Sequence, residues 1–128
     1  MRRIITGHNE DGKSVVMYEG PPARSIGEDV GGLYEIWNTE STPFTTKGFE
    51  DKADIEIELE PPKGGTKFRY FQINPTPEGV PIEILNEMAA EAFDKIKASH
   101  CRVDVSRHPA MHKTCLLYTS PSPRDLVI

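Results

Sequence analysis

What this chain has little of narrows its functions before any motif is considered. No block of lysine or arginine stands out, and 20 acidic against 15 basic residues leave a net charge of -5. Phosphate backbones and anionic membrane surfaces are held by clustered positive charge, so neither nucleic acid nor membrane is an expected partner. A long apolar run is missing at the start: after Met1-Arg2-Arg3 only Ile4 and Ile5 precede polar residues, too few for a signal peptide or a membrane span. The cytoplasm is the expected location. Cysteine occurs only at Cys101 and Cys115, and an unexported chain keeps its thiols reduced, so no disulfide is expected. Asn38-Thr39-Glu40 and Asn74-Pro75-Thr76 both fail the glycosylation pattern. A small molecule or another protein remains as the expected partner.

Apolar residues are also scarce. They make up 37% of the 128 residues, below the usual ~45–50%. With 11 prolines and 10 glycines, the chain fits one modest core wrapped in long connections.

What is there reads as α+β, with mostly antiparallel strands and one amphipathic helix. Arg3 to Thr6 and Ser14 to Tyr18 flank Asp11-Gly12, a positive-φ turn signal, and predict a β-hairpin that Gly20-Pro21-Pro22 ends. Leu33 to Trp37 is a further strand, with Leu33, Glu35 and Trp37 on one face and Tyr34 and Ile36 on the other; its mixed pattern suits a strand with partners on both sides. Residues 38–54 read as a long polar loop. Ile55 to Glu60 alternates strictly and gives the clearest strand signal, with Ile55, Ile57 and Leu59 inward and three glutamates outward. After the turn Pro61 to Gly65, Thr66 to Ile73 is an aromatic strand, and Trp37, Phe68, Tyr70 and Phe71 are expected in the core. Residues 81–99 are expected to form the helix, with Ile82, Leu85, Ala89, Ala92, Phe93 and Ile96 as its apolar stripe and Pro81 at its first position.

Few constellations suggest chemistry. Cys101, His108, His112 and Cys115 have the composition of a zinc site, with His100 nearby, but no C-x2-4-C pair is present, and Pro109 argues against one helix carrying both His108 and His112. Pro61-Pro62-Lys63-Gly64-Gly65-Thr66 lacks G-x4-G-K-[ST] and leads into a strand, so it is a turn rather than a phosphate loop. Asp51, Asp54, Glu56, Glu58 and Glu60 form an acidic stripe of the kind that usually solvates a strand face. No catalytic residue can be assigned from spacing.

Taken in order, M-R-R-I-I-T-G-H-N-E-D-G-K-S-V-V, G-P-P-A-R, L-Y-E-I-W-N-T, P-P-K-G-G-T-K-F-R-Y, the helix and H-P-A-M-H-K-T resemble the N-terminal part of small stand-alone cupin-domain (RmlC-like) proteins. The resemblance covers about residues 1–114 and implies a partial cupin-type β-sandwich or barrel. Cupins bind a small molecule or a divalent metal in that barrel, through a first motif G-x5-H-x-H-x3,4-E-x6-G. His112 falls at its first histidine and is the metal-ligand position the resemblance implies; Thr114 falls at the second. From Cys115 the run C-L-L-Y-T-S-P-S-P-R-D resembles a translated sequencing adapter, so residues 115–128 are expected to be a non-native, disordered tail. The resemblance thus implies a non-catalytic remnant, with a small-molecule ligand and a divalent metal belonging to the complete form and no metal here. A metal-dependent oxygenase or isomerase acting on a small polar substrate, and a strand-pairing module forming a homodimer, are the alternative expectations.

Overall fold

The turn at Asp11-Gly12 closes as its residues predict. In the computed structural model, which describes residues 1–45 and 48–113, β1 (Arg3–His8) and β2 (Ser14–Gly20) pair as an antiparallel hairpin. Gly12 takes a left-handed φ of 74°. Asn9 Oδ1 accepts from the backbone N–H groups of Asp11 and Lys13 at 3.1 and 2.9 Å, so the turn's donors are satisfied locally.

A second sheet has the order β3 (Arg24–Ile26), β4 (Gly31–Thr39), β5 (Thr66–Ile73), all antiparallel. β4 therefore has a partner on each side, as its mixed pattern implies. The fold is α+β: antiparallel strands in two sheets plus one helix. No closed barrel forms among the described residues, because the hairpin and the three-stranded sheet share no backbone ladder. Of the expected partial sandwich or barrel, the described residues show two antiparallel sheets.

The face assignment of β4 is also corrected. Its register with β5 slips between Glu35 and Trp37: Glu35 lies opposite Arg69, but Trp37 lies opposite Phe68, the adjacent residue. Cross-strand partners share a face and successive residues alternate, so Trp37 moves to the face of Phe68, Tyr70 and Tyr34, away from Leu33 and Glu35. Ile36 is the extra residue of this bulge. Its carbonyl accepts a hydrogen bond from Arg3 Nη1 at 3.0 Å, which joins the hairpin to the sheet.

The helix, α1 (Ile82–Lys95), is shorter than the expected 81–99. Pro81 sits just outside it as the N-cap, with φ -56° and ψ 145°. Lys97 has φ 55° and breaks the helical path, after which Ser99–Cys101 forms a short 3-10 turn. Only the C-terminal end of the helix is well packed: Phe93, Ala98 and Cys101 are buried, with Leu59 and Ile96 against them. Toward its start Ile82, Ile84 and Met88 are exposed. A cavity of about 570 Å³ separates the helix from Leu33, Phe71 and Ile73 of the sheet.

Residues 55–60 do not form a strand, although their alternation is the clearest in the chain. Alternation creates an edge without supplying a partner for it. Here the neighbours are side chains and a helix end: Leu59 N–H donates to Ile96 O at 3.0 Å, and Arg69 donates to Leu59 O and Glu58 O at 2.9 and 2.8 Å. Ile55, expected inward, is exposed. The aromatic core is corrected as well. Phe68, Tyr70 and Phe71 are 67%, 50% and 61% exposed, and Trp37 is half-buried, because β5 is an edge strand with too little of the chain packed over it.

The polar stretch 38–54 begins inside β4, and its far end is tied down. Arg3, 6% exposed at its side chain, pairs with both carboxylate oxygens of Asp51, one at 2.9 Å. Tyr18 Oη donates to Phe49 O. The Arg3 hydrogen bonds hold the Asp51 carboxyl below its usual range; burial opposes them, while the Ala53 N–H and the Arg3 charge assist. A depressed folded-state pKa means that this stabilisation is complete above the unfolded value of about 3.9 and is lost as the pH falls through the folded value. Asp51→Asn is therefore expected to lower the urea midpoint at neutral pH and to flatten its decline in acid. A midpoint that declines in acid as steeply as wild type would contradict this assignment.

Candidate functional site

His112, the metal-ligand position implied by resemblance, lies beside Phe93 and the Ala110 carbonyl. Its ring packs on Phe93 with centroids 4.9 Å apart, and its Nδ1 lies 2.8 Å from Ala110 O. His108 faces elsewhere: its Nε2 is 3.3 Å from Thr76 Oγ1 and its Nδ1 accepts from Ala110 N–H at 3.1 Å. Cys101, His108 and His112 do not converge. Cys115, Thr114 and the expected tail 115–128 lie outside the described residues, as does the question of a disulfide.

The acidic stripe is divided among separate cations. Asp51 pairs with Arg3, Asp54 with Arg24 at 2.6 Å, and Glu56 and Glu58 with Lys97 at 2.7 and 3.0 Å. These last contacts raise the Lys97 pKa, and the Lys97 hydrogen bond lowers that of Glu58. Glu60 turns instead to His100, with 2.9 Å between Oε2 and Nε2. The same Nε2 lies 3.5 Å from Cys101 Sγ. Glu60, His100 and Cys101 are the group of His, Cys, Asp or Glu side chains that converges among the described residues, with donor atoms within 4.8 Å of one another.

Their convergence follows from local structure. The left-handed Lys97 and the 3-10 turn after it drive Cys101 inward, 2% exposed, and leave His100 facing outward. Glu60 arrives from about forty positions earlier because the Leu59 peptide is held on both sides, its N–H by Ile96 and its carbonyl by Arg69. Glu60 looked like one more solvating glutamate. No local signal distinguishes it; only the docking of 55–60 on the helix end does so.

A separate concavity lies between the hairpin, Trp37 of β4 and residues of the 44–52 stretch. Its volume is about 460 Å³, and Ile5, Met17, Trp37 and Phe44 line it together with His8 and Lys52. Trp37 reaches it only through the β4 bulge. That volume lies in the usual range of small-molecule pockets, roughly 300–1,000 Å³. Glu50 lines the same cavity and pairs with Lys52 at 2.8 Å, and their hydrogen bond raises the Lys52 pKa, so the wall carries an ion pair.

No model of a known protein family matches the chain, and no curated protein matches it.

Proposed function

We propose that this chain is a cupin-like binding protein that holds a small molecule beside its hairpin. One observation carries the reading: the cavity beside the hairpin combines apolar walls from Ile5, Met17, Trp37 and Phe44 with the Glu50–Lys52 ion pair. Apolar walls supply affinity and a few polar groups supply orientation, which suits an amphipathic molecule whose polar end meets the Glu50–Lys52 pair. The proposed role is binding without metal chemistry at His112, whose neighbours are Phe93 and a carbonyl. Trp37 is the single tryptophan, so titration with the aromatic anion 1-anilinonaphthalene-8-sulfonate is expected to give saturable energy transfer from it. Ser14, exposed at the rim, can be enlarged without touching the core. Ser14→Phe is expected to weaken binding by about tenfold, ~1.4 kcal/mol. Binding indifferent to Ser14→Phe would place the probe elsewhere and sink the proposal.

The edge strand β5 favours a second reading, self-association. It is eight residues long, has β4 on one side alone among the described residues, and exposes Phe68, Tyr70, Phe71 and Ile73. Such edges pair with other strands unless blocked. Sedimentation is then expected to show a concentration-dependent dimer that Phe68→Lys shifts toward monomer. A wild-type chain that stays monomeric at all concentrations would exclude it.

A further inference from the structure

We infer that Glu60, His100 and Cys101 form a zinc site, at the junction of the 55–60 segment with the end of α1 and apart from the cavity beside the hairpin. The geometry separates a metal site from its two rivals. In a Cys-His-carboxylate catalytic triad the two imidazole nitrogens face different partners; here one atom, His100 Nε2, faces both the Glu60 carboxylate at 2.9 Å and the Cys101 sulfur at 3.5 Å. In a simple His-Glu ion pair the sulfur has no role, yet Cys101 Sγ lies within 4.8 Å of both other donors. Three lone-pair donors around one point are the arrangement a cation completes.

Two of the three donor separations compare directly with zinc. With Zn–S near 2.3 Å and Zn–N near 2.0–2.1 Å, a tetrahedral angle sets S and N about 3.5 Å apart. The observed separation is 3.5 Å. The N···O edge of 2.9 Å would open by a few tenths of an ångström, roughly to 3.3 Å, as the hydrogen bond gives way to coordination. Thiolate with imidazole selects zinc over the oxygen-seeking magnesium and calcium. Charge also closes: a thiolate and a carboxylate neutralise a divalent ion, while the neutral imidazole adds none, so the partly buried site gains no net charge. Glu60 and His100 are exposed enough to admit the ion and leave the fourth position to water, with buried Cys101 forming the floor. Bound zinc would clamp the 55–60 segment to the 3-10 turn, adding to exposed ion pairs, one backbone hydrogen bond and the packing of Leu59 on Phe93, Ala98 and Cys101.

The test uses the full chain, stripped with a chelator and titrated with Zn²⁺ and, for its spectrum, Co²⁺. One equivalent of Zn²⁺ is expected to bind and raise the melting temperature. The Co²⁺ form is expected to show a thiolate charge-transfer band that Cys101→Ser abolishes and Cys115→Ser retains. His100→Ala is expected to weaken Zn²⁺ binding by at least the roughly 10- to 100-fold that loss of an outer partner costs. If Cys101→Ser does not fold by circular dichroism, His100→Ala and Glu60→Gln, both at accessible positions, carry the same test. The assignment is overturned if no saturable binding occurs, if the band survives Cys101→Ser, or if His112→Ala removes binding while His100→Ala does not.

Discussion

Arg69→Ala is expected to destabilise the chain by about 3–5 kcal/mol, a large part of the roughly 5–15 kcal/mol that holds a small domain together. Its partner Glu35 is 1% exposed, and Arg69 Nη2 lies 2.5 Å from Glu35 Oε1, with the arginine itself 12% exposed. Burial pulls the Arg69 pKa below the usual guanidinium value and the Glu35 charge partly restores it, the signature of a pair held out of water. Removing the cation leaves a buried carboxylate whose remaining contact is the Asn38 amide nitrogen at 3.2 Å when that amide faces it. It also removes the Arg69 donor of Leu59 O, while Glu58 O keeps Lys67 Nζ at 2.8 Å. Glu35→Gln is expected to cost less, because Arg69 stays in place and keeps donating to Leu59 O and Glu58 O. The double variant Glu35→Leu/Arg69→Met is expected to recover part of the loss, since a buried pair and an apolar replacement of similar volume are often near equal. Recovery stays partial because Leu59 O loses its Arg69 donor. Urea unfolding followed by circular dichroism measures all four proteins. Single variants within about 0.5 kcal/mol of wild type would show that the pair is solvated.

Gly31→Ala is expected to cost about 3 kcal/mol or more, by a different mechanism. Gly31 opens β4 with φ 132°, a conformation that residues with a Cβ rarely adopt. A Cβ there would stand 2.3 Å from Gln72 O and 3.1 Å from Gln72 C, both backbone atoms of the paired strand β5. The strand can relieve that overlap only by moving, and Gly31 pairs with Ile73 at the end of the same ladder. Gly12 is the control: its φ of 74° is also positive, but nothing lies within 4 Å of the added atom. Gly12→Ala is expected to cost about 1–2 kcal/mol, from backbone conformation alone. Equal losses at the two glycines would show that the β4–β5 approach is looser than described.

Both expectations rest on positions that periodicity treats as ordinary. Glu35 read as one residue of a mixed strand and became a buried charge because β5 brought Arg69 opposite it. Trp37 was expected beside Leu33 and Glu35; one inserted residue, Ile36, moved it to the other face and into the cavity. The strand expected at 55–60 did not form: Ile96 O and the Arg69 side chain hold the Leu59 peptide instead, and the same residues became the strap that delivers Glu60 to His100.

The amino-acid sequence by itself determined the local elements: the Asp11-Gly12 hairpin, the aromatic strand Thr66–Ile73, the centre of the helix and the turn at Pro61 to Gly65. Each rests on interactions a few residues apart, such as turn chemistry, alternation and a helical stripe. The tertiary structure alone decided the bulge, the two cavities, the absence of a closed barrel among the described residues, and the meeting of Glu60 with His100 and Cys101. Those outcomes depend on which of several chemically similar edges and charges come to face one another. Composition leaves that choice open, and packing between distant segments makes it.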